Sequence, residues 1–149
     1  MEFFIDSCIF IEAFKTTGTK EASNILENIL RRIEFVNFYI NSIVESEVLY
    51  YFGFKQKSKL KISKEELNII LKLFEILSLN REVRSCFWQI FKKYNLKPND
   101  ALILATCKYY GIKYLISIDN DFPEPCEKEG IVLINSGEKL KEILEKENL

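Results

Sequence analysis

The sequence predicts an α/β fold in which a central parallel sheet lies between flanking helices, and three observations lead there. Short apolar runs bounded by polar residues recur along the chain, as EFFI at 2–5, YLISI at 114–118 and IVLI at 131–134, the pattern of strands buried on both faces. The segments between them place apolar residues at helical spacing. Strands that alternate with helices, rather than with tight turns, need parallel pairing and crossover connections.

Taken in order, EFFI opens the sheet, and FVNFYI at 35–40 offers a further strand. Between them Ile25, Leu26, Ile29, Leu30 and Ile33 form one helical stripe. NSIVESEVLYYF at 41–52 reads as a helix so apolar that burial is expected over most of it. Ser63-x-x-Glu66 has the form of a capping box ahead of Leu67, Ile70, Leu71 and Phe74. Asn80 can cap the next helix, whose face is Val83, Phe87, Ile90, Phe91 and Tyr94. KPNDALILATCKYYG at 97–111 begins with Pro98 in a first turn and ends at Gly111, where a left-handed residue closes a helix. Ser136 caps a last amphipathic helix with Leu140, Ile143 and Leu144. No repeat or Pro/Gly-rich linker divides the chain, so 1–149 is expected to be one domain.

The composition, 48% hydrophobic and 29% charged over 149 residues, is that of a globular protein rather than a disordered one. A net charge of −1 excludes a globally basic surface, so any nucleic-acid contact must use a local patch. The chain has no histidine, and its four cysteines are scattered without a C-x-x-C pair, which argues against zinc. Cys8, Cys86 and Cys107 sit in apolar runs as small core residues, whereas Cys126 is expected in a polar loop. MEFF at the start has an acid where a signal peptide carries lysine or arginine, and no apolar stretch approaches the roughly 18–20 residues of a membrane span. A cytoplasmic protein with no membrane contact is expected.

The acids are placed unusually. Asp6 follows EFFI directly, and Asp119 and Asp121 follow YLISI in SIDNDF, so two strand exits are acidic at the edge where α/β sheets bind ligands. Singly, each is as well explained as a cap of the next helix. Glu45 and Glu47 lie in the apolar helix, where a carboxylate needs a cation or hydrogen bonds to stay charged, and helical angles do not choose between them. Asp100 stands in a first turn behind Pro98, a place the helix dipole alone favours by several tenths of a kcal/mol. Brought together, such carboxylates would repel by several kcal/mol per pair at about 4 Å. A divalent cation resolves that conflict, and an all-oxygen ligand set suits Mg²⁺ or Mn²⁺. These ions typically engage phosphate, so phosphodiester hydrolysis is the expected chemistry.

Four segments resemble, in order, the motifs of PIN-domain ribonucleases. FIDSCIFIEAF is similar to their opening motif of Asp, then Ser or Thr, then an aliphatic pair. NSIVESEVLYYF resembles the second, a glutamate ahead of a Leu/Tyr-rich run; LKPNDALILATCKYYG resembles the third and LISIDNDF the fourth. Together they span residues 3–122, and the chain's length is similar to that of the toxins of VapBC toxin–antitoxin pairs. The resemblance implies a three-layer PIN-like fold and a Mg²⁺- or Mn²⁺-dependent endoribonuclease that leaves a 5′-phosphate and a 3′-hydroxyl. It implies Asp6, Glu47, Asp100 and Asp119 as catalytic and metal-binding acids, with Asp121 as an auxiliary ligand, and it selects Glu47 over Glu45. Ser7 and Ser117 fall where the family often has a hydroxyl that orients a ligand or a phosphate; the local alternative is that they satisfy nearby backbone groups. Cys8 departs from the family's commoner Ser, Thr or Asn, and the glycine usual after the Tyr run is displaced to Gly53. The implied partners are RNA, a small antitoxin and a second copy in a homodimer.

An acidic site needs positive charge beside it to attract RNA. KQKSKLKISK at 55–64, with five lysines and no acid, supplies Lys55, Lys57 and Lys59 as candidate substrate contacts on what is expected to be an exposed connection. Such lysines also serve solubility alone. Two other readings stay open: a PIN-like module that binds protein without catalysis, and an RNA-processing nuclease that is not a toxin. An aspartyl-phosphate domain ranks below both, because Cys8 stands where a second acid is needed and Lys113 precedes rather than follows its strand.

Overall fold

EFFI forms the central strand β1 (Glu2–Ile5) of a parallel sheet in the computed structural model, which describes residues 1–147. The sheet is completed by β2 (Asn37–Asn41), β3 (Glu75–Leu77), β4 (Tyr114–Ile116) and β5 (Val132–Ile134), in the order β3-β2-β1-β4-β5. Phe3, Phe4 and Ile5 are wholly buried, as expected of a strand paired on both sides and covered on both faces.

The chain thus builds outward from β1 to β3, then returns across the sheet to β4 and β5. Right-handed crossovers, the rule for parallel strands, send the connections after β1 and after β4 to opposite faces. One connection holds α1 (Ser7–Phe14) and α2 (Lys20–Leu30), which pack together, and α8 (Gly137–Lys146) joins α2. The long return holds α5 (Arg81–Lys93) and α6 (Pro98–Tyr110), packed along each other, and α7 (Pro123–Glu129) lies against β5. Between β2 and β3 run α3 (Ser42–Tyr50) and α4 (Lys64–Leu71). The two sets of connections diverge at the exits of β1 and β4, which makes this carboxyl edge the topological switch point of the sheet.

The capping signals hold. Ser63 and Glu66 form the reciprocal capping box of α4, Asn80 caps α5 through Val83 N, Ser136 caps α8 through Lys139 N, and Gly111 closes α6 with φ 67°. Four expectations are corrected. The stripe ending at Phe74 is not one helix: α4 stops at Leu71 and β3 follows, a three-residue edge strand too short for its own periodicity to register. FVNFYI pairs only from Asn37, and Phe35 is exposed. Cys126 is buried in α7 rather than lying in a polar loop, because that short helix turns Pro125 and Cys126 inward and its charged residues outward. The apolar helix at 41–52 is not largely buried: α3 buries only Val44 and Val48, leaving Leu49 48% and Tyr50 61% exposed. A single π-helical turn, Tyr51–Lys55, then buries Phe52 and leaves Phe54 76% exposed. The lysine-dense connection runs on through a 3₁₀ turn, Lys57–Lys59, to the isolated bridge between Leu60 and Lys15. Among the described residues no helix is long and apolar enough to cross a membrane.

Candidate active site

The register of β1 against β4 sets Ile5 beside Ile116, so the next residues, Asp6 and Ser117, leave the sheet side by side. Asp6 then makes use of both its oxygens. Oδ1 accepts from Ser7 N at 2.7 Å and caps α1, while Oδ2 accepts from Ser117 Oγ at 2.7 Å and from Cys8 Sγ at 3.4 Å. Ser7 Oγ donates to Glu47 Oε1 at 3.1 Å and so ties α1 to α3. Ser117 Oγ also accepts from Asp119 N at 3.1 Å, and Asp119 Oδ1 accepts from Asp121 N at 2.9 Å, which folds the turn after β4 over the sheet edge. Asp100 comes from the first turn of α6, and one oxygen each from Asp100, Asp119 and Asp121 lie within 4.8 Å of one another.

Asp6 and Asp100 are buried, Glu47 and Asp119 half-buried and Asp121 exposed. Among the described residues none of the ion pairs involves any of these five acids. Burial raises the Asp6 carboxyl, opposed by the bonds from Ser117, Cys8 and Ser7, and the charge of Asp119 adds to the rise. Burial likewise raises Glu47, as does the charge of Asp6, against bonds from Ser7 and Asn99. Asp100 is pushed up to about 7, first by burial and then by Asp119, Asp6, Glu47 and Asp121 in turn. All four other acids are therefore near enough to disfavour a charge on Asp100. Crowding of this kind, with oxygen donors only and no histidine in the chain, fits a hard divalent cation.

The pattern of the PIN domain matches residues 3–128, most of the chain and all of these acids. The chain belongs to the PIN-domain family. Two relatives come from Methanocaldococcus jannaschii. Ribonuclease VapC2 is 39% identical over 131 residues, covering 80% of this chain and 85% of that protein. Ribonuclease VapC6 is 32% identical over 140 residues, with 80% and 89% covered. Among solved structures, VapBC2 from Rickettsia felis bound to a DNA fragment from their promoter has a TM-score of 0.67 at 20% identity, over 91% of this chain and 98% of that one. The toxin–antitoxin complex from Klebsiella pneumoniae has a TM-score of 0.64 at 23% identity, over 87% and 94%. At those identities the structural likeness concerns the fold.

In this PIN-domain chain the structure brings Asp6, Glu47, Asp100, Asp119 and Asp121 together at one edge of the sheet. Glu47, not Glu45, reaches it, through Ser7 Oγ. The Ser7 and Ser117 hydroxyls both point at acids, at Glu47 and at Asp6. Lys55 shares with Glu47, Tyr50, Tyr51 and Asn99 the wall of a cavity of about 390 Å³. Lys57 and Lys59 lie further off: Lys57 Nζ sits 5.9 Å from the Phe54 ring centre, and the Lys59 carbonyl accepts from Thr16 N.

Three supporting residues of the PIN-domain site escaped the sequence reading. Cys8, read as a core residue, is half-buried with its thiol on Asp6, and burial with that neighbouring charge holds it protonated, well above the usual thiol range. Asn99 bonds Glu47; its place directly before Asp100 was the only signal. Asn41, wholly buried at the end of β2, caps α3 by accepting from Val44 N at 3.0 Å and donates from Nδ2 to Thr106 Oγ1 on α6 at 3.0 Å. One side chain thus docks the helix of Glu47 against the helix of Asp100. Asn41→Ala removes a cap and a buried hydrogen bond together and is expected to cost about 2–3 kcal/mol in chemical denaturation, with RNA cleavage falling more than stability alone explains. A loss under about 0.5 kcal/mol would refute that docking role.

Proposed function

We propose that this protein is a Mg²⁺- or Mn²⁺-dependent endoribonuclease, acts as the toxin of a toxin–antitoxin pair, and uses Asp6, Glu47, Asp100 and Asp119 for catalysis. The observation that supports it best is the meeting of five carboxylates from four segments at the sheet's switch point, with none of them in an ion pair among the described residues. Asp100, Asp119 and Asp121 are the closest set for holding the ion, with Asp6 and Glu47 beside them. When bound, a divalent ion supplies positive charge for the scissile phosphate, a more acidic water and stabilisation of the leaving oxygen.

The chain's own residues supply the rest. Ser117 and Cys8 fix the Asp6 carboxylate, while Ser7 and Asn99 fix Glu47, so the acids present preset oxygens at the sheet edge. A carboxylate oxygen takes the proton of the attacking water. Lys55, beside Glu47, offsets the repulsion between acidic site and RNA, with Lys57 and Lys59 extending positive charge along the connection. The hydroxyls of Ser7 and Ser117 border the phosphate's place.

The relatives named VapC support the toxin reading, and toxin–antitoxin complexes among the structural neighbours support a small antitoxin partner. The exposed Leu49, Tyr50 and Phe54 offer apolar surface for a homodimer. The test is cleavage of a long RNA with Mg²⁺ or Mn²⁺ present and then chelated. Internal cuts bearing 5′-phosphates that cease on chelation are expected; cutting that persists in excess chelator would overturn the proposal.

A further inference from the structure

The turn after β4 has two sides. Asp121 faces the other acids on one of them and lines a separate cavity of about 510 Å³ on the other. That cavity lies between the end of α5 and the 120–125 segment, and its walls include Lys93, Tyr94, Asn95, Asn120, Glu124 and Lys128. Its volume is within the roughly 300–1,000 Å³ of small-molecule sites, ample for one nucleotide. Among the described residues the carboxamides of Asn95 and Asn120 form no hydrogen bond to any other residue, so both offer an adjacent donor and acceptor to a ligand. Tyr94 donates its hydroxyl to Glu129 Oε2, and Lys93 Nζ lies over its ring, 5.6 Å from the centre. Lys93 and Lys128 are anchored by Glu129 and Glu124 at 2.9 Å and 2.7 Å.

We infer that this cavity is a nucleobase subsite, which takes one unpaired base of the RNA next to the cleaved phosphate and makes cutting depend on the identity of that base. The inference rests on the nuclease reading above and adds sequence selectivity to it. Unpaired RNA bases are recognised by stacking on aromatic rings and by hydrogen bonds along their edges, and carboxamides pair with base edges through two bonds at once. Asp121 belongs both to the group of acids and to this wall, so a base that enters the cavity comes from a nucleotide near the cut. Lys93 and Lys128, each paired with a glutamate, balance the charges of Asp121 and Glu124 on the same wall, so the cavity suits the uncharged base rather than a phosphate.

The test compares cleavage of an RNA pool randomised around one site by the wild-type protein and by Asn95→Ala/Asn120→Ala, two substitutions of exposed side chains. The wild type is expected to prefer one base, at one position next to the cut, by about tenfold or more, and the double variant to lower that preference to about twofold or less with unchanged metal dependence. Where the wild type cleaves, an equal preference in both proteins, or cutting indifferent to base in the wild type, overturns the inference. A second arm measures binding of short RNAs that differ at that position to the cleavage-silent Asp100→Asn protein, with and without the double substitution. Base-dependent binding that the double variant loses supports the subsite even where the wild type cleaves nothing, an outcome that removes the nuclease reading alone; binding indifferent to base sinks the subsite.

Discussion

Asp100→Asn is expected to lower metal-dependent RNA cleavage by at least about a thousandfold while leaving the metal-free protein more stable than the wild type. A thousandfold corresponds to about 4 kcal/mol of transition-state stabilisation, a reasonable share for one of the three carboxylates proposed to hold the ion. The stability gain has the same origin. Asp100 is pushed up to about 7 by burial and by four like charges, so at pH 7.5 the folded chain holds an unfavourable charge that asparagine lacks. Allowing for solvent that still reaches the group, the gain is about 1–3 kcal/mol. Thermal melts in chelator and single-turnover cleavage on the same samples check both halves. A variant that is inactive because it is less stable would contradict the account, since the lost charge would then have been holding the fold together.

The second large effect concerns pH and metal. Asp6, Glu47 and Asp100 all have raised pKa values in the folded, metal-free protein, so at intermediate pH the unfolded chain has released protons that the folded chain retains. Their contribution to stability is full below the usual carboxylate range near pH 4, and is lost as pH rises through the folded values, to about 7 for Asp100. Metal-free protein is therefore expected to melt lower at pH 7.5 than at pH 5, with a smaller difference in Asp100→Asn. Adding Mg²⁺ or Mn²⁺ at pH 7.5 reverses the loss, by about 2.7 kcal/mol at a concentration a hundred times the dissociation constant. Melting temperatures that rise with pH in chelator, and ignore the ions, would sink this linkage.

How much of this was legible in the sequence depends on the range over which each signal acts. EFFI, the capping box at Ser63 and the close of α6 at Gly111 are short-range features, and each folds as read. Asp6 and Asp119 were conspicuous because they follow apolar runs, and the parallel register brings them to one edge. The choice of Glu47 over Glu45 was closed to helical geometry, because the deciding partner, Ser7, stands forty residues away. Asn41 went unremarked, because the bond that gives it its role, to Thr106, spans sixty-five residues and leaves no local trace. The exposure of Leu49 and Tyr50 was likewise hidden, since apolar composition reports a tendency to be covered and not by what.

The strand order has a consequence for a growing polypeptide. β1 emerges first yet lies in the middle of the sheet, and its second neighbour, β4, is not made until more than a hundred further residues have followed. Asp6 waits through nearly all of translation for Ser117 to clamp it and for Asp119 to stand beside it. A ribosome-bound fragment that ends before β4 therefore lacks both Ser117 and Asp119, and the acidic group cannot assemble until the turn after β4 has left the ribosome.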